Sequence, residues 1–126
     1  MSPAVWLAVA VGGALGSTAR LAVMQAARAL VPGWPWGTWA VNVLGSLAIG
    51  VLMAWFLARP APDWVRIGLM TGVLGGFTTF SAFSLDTLEL LRTAGAASAA
   101  AYVAASLLFG LAACALGLWL GRVLLA

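Results

Sequence analysis

Four long apolar runs, at 4–29, 39–58, 67–91 and 94–121, occupy nearly all of the 126 residues. Each reaches the roughly 20 residues that a helix needs to cross a bilayer, and the longer ones must tilt, break or extend past the headgroups. In hydrocarbon every backbone polar group has to be paired within the protein, and a helix pairs them within one run. The chain is therefore expected to be an all-α membrane protein, with four transmembrane helices in a single integral domain spanning 1–126. The first run has no basic leader and is too long for a signal-peptide core, so it reads as the first span. A composition of 64% hydrophobic and 7% charged residues lies outside the range of soluble globular chains.

The connections are short and polar. VPGWPWGT follows the first run, with Pro32 and Pro35 stopping the helix and Trp34, Trp36 and Trp39 suited to a membrane–water interface. ARPAPD makes the second turn, and Thr93 to Gly95 the third, with Gly95 as a helix stop or start. Four spans put both termini on one side, with Arg59, Arg66 and Arg122, and leave Arg28 and Arg92 on the other. Arginine bias is what normally fixes orientation, and here it nearly cancels. Such a chain either takes its orientation from other signals or inserts both ways, in which case two antiparallel copies can form one symmetric unit. The net charge of +3 comes from arginines scattered at segment ends, which fits membrane topology and not a nucleic-acid patch.

One stretch is out of character with its span. GGFTTFSAFS, 75–84, puts two glycines and four hydroxyls inside the third run. Irregular backbone at that depth is tolerated only where it is buried in protein or lines a hydrated path. The glycine pair is expected to open the helix, with Thr78 and Thr79 beside it and Phe80 and Phe83 following on one face. A kinked helix padded with small residues is the plain alternative. An ion site with an aromatic-lined path beside it is the sharper one. An aromatic ring meets an anion with its positive edge. Ser81 and Ser84 add hydroxyls, and Tyr102 and Ser106, four apart in the last run, can face them.

Asn42 sits near the start of the second span, where its amide either hydrogen-bonds another helix or offers N–H donors to an anion. Arg20 is the charge well inside a span, and it can snorkel, anchor a helix pair or draw anions to a vestibule. Small residues at helical spacing (Gly12/Gly16, Ser46/Gly50, Gly68/Gly72/Gly76, Gly117/Gly121) let backbones approach closely, with some of these faces expected against another subunit. Catalysis has thin support. Asp86 and Glu89 read as interfacial charges, Glu89 pairing with Arg92, and the chain contains neither histidine nor lysine. Cys114 stands alone and reads as a small packing residue. An enzyme is not expected.

Three blocks in order, GGALGSTAR (12–20), WPWGTWAVNVLGSLAIG (34–50) and GVLGGFTTFSAFS (72–84), resemble the small fluoride channels of the Fluc (CrcB) family. The resemblance covers nearly the whole chain. It implies a dual-topology, antiparallel homodimer in the plasma membrane, with a broken third helix and two pores that pass fluoride down its gradient. It also implies a structural sodium ion (Na+) at the dimer centre, on the main-chain carbonyls of Gly75 and Thr78 from both copies. Phe80 and Phe83 would line the pore, Asn42 would give a polar contact, and Ser81 and Tyr102 would continue the path. Arg20 belongs to the first block, in an electrostatic or structural role. Where the family commonly reads TTFSTF, this chain reads TTFSAF, with Ala82 in place of a threonine.

Two other functions fit parts of the pattern. A small multidrug exporter also has four spans, but it needs a carboxylate in mid-membrane, and the first span carries Arg20 instead. A non-conducting or half-pore subunit of a heterodimer would tolerate the lost hydroxyl at Ala82.

Overall fold

The computed structural model describes residues 1–125. Helix α1 (Pro3–Leu30) has Pro3 in its first turn, where a missing N–H costs nothing. Helix α2 (Trp36–Ala58) starts directly after Pro35, three residues before the expected start at Trp39. The third span, Asp63–Ala94, is a composite. It runs through α3 (Asp63–Ile67), a π-helical segment (Gly68–Leu74) and α4 (Gly75–Phe77), then across two extended residues into α5 (Phe80–Ala94). Gly95, at φ +90°, ends α5 in a conformation that side chains disfavour. The last helix, α6 (Ala96–Leu125), consequently begins two residues later than expected and runs beyond Gly121.

The helices pack as two pairs. α1 lies along the first half of the third span, and α2 lies along α6, with α5 against α6 and α1 touching α2. Glycines make both seams. A Cβ on Gly12 would sit 2.7 Å from the Gly68 carbonyl oxygen, and one on Gly16 would overlap the Val73 carbonyl. On the other seam a Cβ on Gly117 would overlap the Leu47 carbonyl. The small stripes singled out in the sequence are thus largely used in the seams within one copy. The π segment has a physical rationale in the same seam. Its wider turns bring residues four apart nearer to eclipse than 3.6-residue turns do. Gly68, Gly72 and Gly76 thereby stay against α1, each within a Cβ's contact of Ala8, Val9 or Gly13.

Few side chains are fully enclosed: Val5, Val41, Ala54, Leu90, Ala99 and Tyr102 are the buried hydrophobics. Leucines exposed along α1, α5 and α6 suit contact with lipid chains.

Candidate functional site: the break in the third span

The break falls at Thr78 and Thr79, whose backbones are extended at φ −83°, ψ 159° and φ −152°, ψ 116°. This corrects the expectation that the glycines open the helix. Gly75 is helical, at φ −64°, ψ −35°, and Gly76 packs against Gly13. What makes the break affordable is the pairing of its backbone. The Thr79 N–H donates to Asn42 Oδ1 at 2.8 Å, and Asn42 Nδ2 donates to the Thr79 carbonyl at 3.0 Å. The side chain of Asn42 thus replaces a peptide partner on both counts, and the Thr79 groups fix which way its amide points. Thr79 Oγ1 accepts from the Ala82 N–H at 3.1 Å, the N-cap contact that starts α5. The Thr78 hydroxyl donates to the Leu74 carbonyl at 2.9 Å, and Ser17 reaches the Gly76 carbonyl at 3.4 Å.

Two cavities flank Thr79. The first, of about 360 Å³, lies between α2, the third span and α6, with Asn42, Ser46, Gly75, Phe80, Phe83 and Ser106 in its lining. Ser106 Oγ is buried there without a hydrogen-bond partner. The second, of about 400 Å³, lies on the α1 side and is lined by Arg20, Met24, Thr79, Ser81, Ala82 and Leu85. Arg20 Nη1 donates to the Thr78 carbonyl at 3.3 Å, so the guanidinium holds one edge of the break while facing this cavity. Phe80 is 78% exposed, on the outer surface of the single chain.

An aromatic run leads away from the first cavity. Phe80 and Phe83 have ring centroids 5.5 Å apart, Phe83 and Tyr102 are 5.5 Å apart, and Trp34 meets Tyr102 edge-on at 5.1 Å. Tyr102 is fully buried and its hydroxyl donates to Asp86 Oδ2 at 3.4 Å. Asp86, read from the sequence as an interfacial charge, thus also accepts a hydrogen bond from the last helix. Glu89 does pair with Arg92, as expected.

Asn42, Phe80 and Phe83 therefore share one cavity, Ser81 and Arg20 share the other, and Tyr102 sits behind Phe83. Sequence reasoning missed Thr79 as the residue the break turns on, and Asp86 as the partner of Tyr102. The spacing of Tyr102 from Asp86 gave no signal, since the two lie on different helices. Ser46, by its spacing from Gly50 a packing residue, also lines the cavity one turn beyond Asn42.

Comparison with known proteins identifies the family. Residues 7–118 match the family described as CrcB-like protein, Camphor Resistance (CrcB). A protein of Hyphomonas neptunium named fluoride-specific ion channel FluC is 48% identical over 124 residues, covering 96% of this chain and 98% of that one. One of the same name from Paracoccus denitrificans is 50% identical over 121 residues, covering 96% and 97%. A third, from Caulobacter vibrioides, is 45% identical over 124 residues, covering 95% and 97%. With four helices among the described residues long and apolar enough to cross a membrane, the protein is a multi-pass membrane protein, in bacteria of the plasma membrane, and the chain belongs to the CrcB family.

Proposed function

We propose that this chain is a passive, fluoride-selective channel working as an antiparallel homodimer, with the lining of the two cavities as its anion path. Support comes from the names of its relatives and, within the chain, above all from Phe80. Its ring stands 78% exposed immediately past the break, beside a cavity that also holds an amide and hydroxyls. Gly75, Ser81 and Ser17 are exposed on the same span or its α1 neighbour. A polar, broken surface of this kind is poorly suited to lipid, and a second copy would cover it.

The chemistry follows from the donors. Asn42 Nδ2 carries two hydrogens and spends one on Thr79, leaving the other for an anion. A buried hydroxyl without a partner costs about 1–3 kcal/mol, which leaves the Ser106 hydroxyl, enclosed beside the cavity, as a further donor for an anion or water that reaches it. The edges of Phe80 and Phe83 offer partial positive charge without a proton to lose. Arg20, with Ser81 beside it, raises the potential for anions on the α1 side. No group on this path has to change its protonation for an ion to pass. Flow is then electrodiffusive. The membrane potential contributes roughly 2.3 kcal/mol per charge per 100 mV, which drives fluoride out of a negative interior.

The carbonyls of Gly75 and Thr78 fit a structural Na+ in part. Gly75 is exposed with open space around it, and the Thr78 carbonyl keeps a second lone pair beside its bond from Arg20. Two carbonyls are too few oxygens to hold a hard cation alone, so those of one copy need those of another. A cation bound there would tie the two copies together and add positive potential near the path.

Phe80→Ile tests the path. Fluoride efflux from liposomes should fall at least about tenfold, equivalent to roughly 1.4 kcal/mol of barrier, with the dimer intact on size exclusion. Unchanged efflux would remove the aromatic lining from the mechanism.

A further inference from the structure

A third cavity, of about 260 Å³, opens at the far end of the α2–third-span seam and is lined by Met53, Phe56, Leu57, Pro60, Ala61 and Arg66. It continues the line of the first cavity. Met53 is one turn beyond Ile49, Arg66 is one turn before Met70, and Ile49 and Met70 belong to the larger space. Its volume is below the roughly 300–1,000 Å³ of pockets for drug-sized ligands, and its walls are apolar except for one guanidinium. A hydrated anion would find a single polar partner there and several aliphatic ones. An amphiphile with an anionic head matches both parts. The guanidinium is available: Arg66 Nη2 donates to Asp63 Oδ1 at 3.1 Å, but both side chains remain at least half exposed and Arg66 has further donors. Arg59 ends α2 next to the same loop, and Trp55 and Trp64 are exposed on either side of it. Such aromatic rings favour headgroup depth.

We propose that this cavity holds part of one acyl chain of an anionic phospholipid, with the lipid phosphate against the Arg66 guanidinium. Arg–phosphate contacts are charge-assisted and bidentate, and basic residues at a span's end attract anionic lipids. The site shares no lining residue with the two cavities proposed as the anion path.

Native mass spectrometry of the purified full-length protein tests it, with dioleoyl-phosphatidylglycerol or dioleoyl-phosphatidylcholine added separately. The wild type should retain one phosphatidylglycerol per subunit under conditions that strip phosphatidylcholine. Arg66→Gln should weaken phosphatidylglycerol binding about tenfold, the loss of one charge-assisted contact. Ala61→Phe, which fills the cavity and leaves every charge in place, should weaken it similarly. Arg122→Gln, outside the cavity, should leave it unchanged, and fluoride efflux by all three variants should match the wild type, showing that they fold. Equal retention of the two lipids, or unaltered phosphatidylglycerol binding by Arg66→Gln, would overturn the proposal. Loss in Arg66→Gln with none in Ala61→Phe would overturn the placement of the chain in the cavity.

Discussion

Asn42 occupies the position on which the break depends. Because its amide pairs with both the N–H and the carbonyl of Thr79, Asn42→Ala strands two backbone groups, at about 1–3 kcal/mol each where water is excluded. Thermal unfolding in detergent should show that loss, and fluoride efflux should fall with it. Asn42→Asp keeps an acceptor for the N–H but sets an oxygen against the Thr79 carbonyl, so it should not rescue either property. Full activity in the aspartate variant would show that the amide is not the clamp. Ala82 lines the cavity with Arg20 and Ser81, and its N–H is already capped by Thr79. Ala82→Thr should therefore leave stability unchanged while raising fluoride efflux through an added hydroxyl, and unchanged efflux would mean that this hydroxyl is dispensable. Of the site, the aromatic pair, Asn42 and Arg20 were legible in the sequence because polar or aromatic groups beside a membrane break are rare. Asp86 was not, because only the packing of α5 on α6 brings Tyr102 to it.

At the scale of elements, the sequence placed four spans and a disturbed third one, since length and hydropathy are local properties. It misplaced the break itself by two or three residues. Glycines are ambiguous letters, serving either a free backbone or a close approach, and here Gly76 serves the approach to Gly13. The π segment was invisible for the same reason, because it follows from the register of Gly68 and Gly72 on α1. A contrast between two glycines checks this account. Gly16→Val should prevent α1 from docking, since even a Cβ overlaps the Val73 carbonyl, and overpacking costs about 1–3 kcal/mol or more. Little folded protein should be recovered. Gly75→Val meets open space within one copy, its nearest atom being the Met70 carbonyl oxygen at 4.0 Å. That variant should fold and yet lose sodium-dependent dimer stability, measured by subunit dissociation with and without sodium. A normal sodium-dependent dimer would contradict the placement of the cation at Gly75.

For the whole molecule, the proposed anion path opens on a surface that a second copy would cover. Phe80, Gly75 and Ser81 stand on its outer surface, and the arginines are nearly balanced between its two ends. In a Cys114→Ser background, single cysteines introduced in the Ala61 loop and, separately, beside Arg92 should each be labelled from both sides of the membrane, about half of the population each way. Labelling from one side alone would exclude antiparallel pairing. Fluoride efflux, followed with an electrode, from liposomes containing only this purified protein after a potassium ionophore is added decides whether the chain conducts by itself. The account predicts fast, electrogenic fluoride efflux without matching chloride flux. A well-folded dimer that passes no fluoride would contradict a self-sufficient channel and leave the chain as one half of a heteromeric pore.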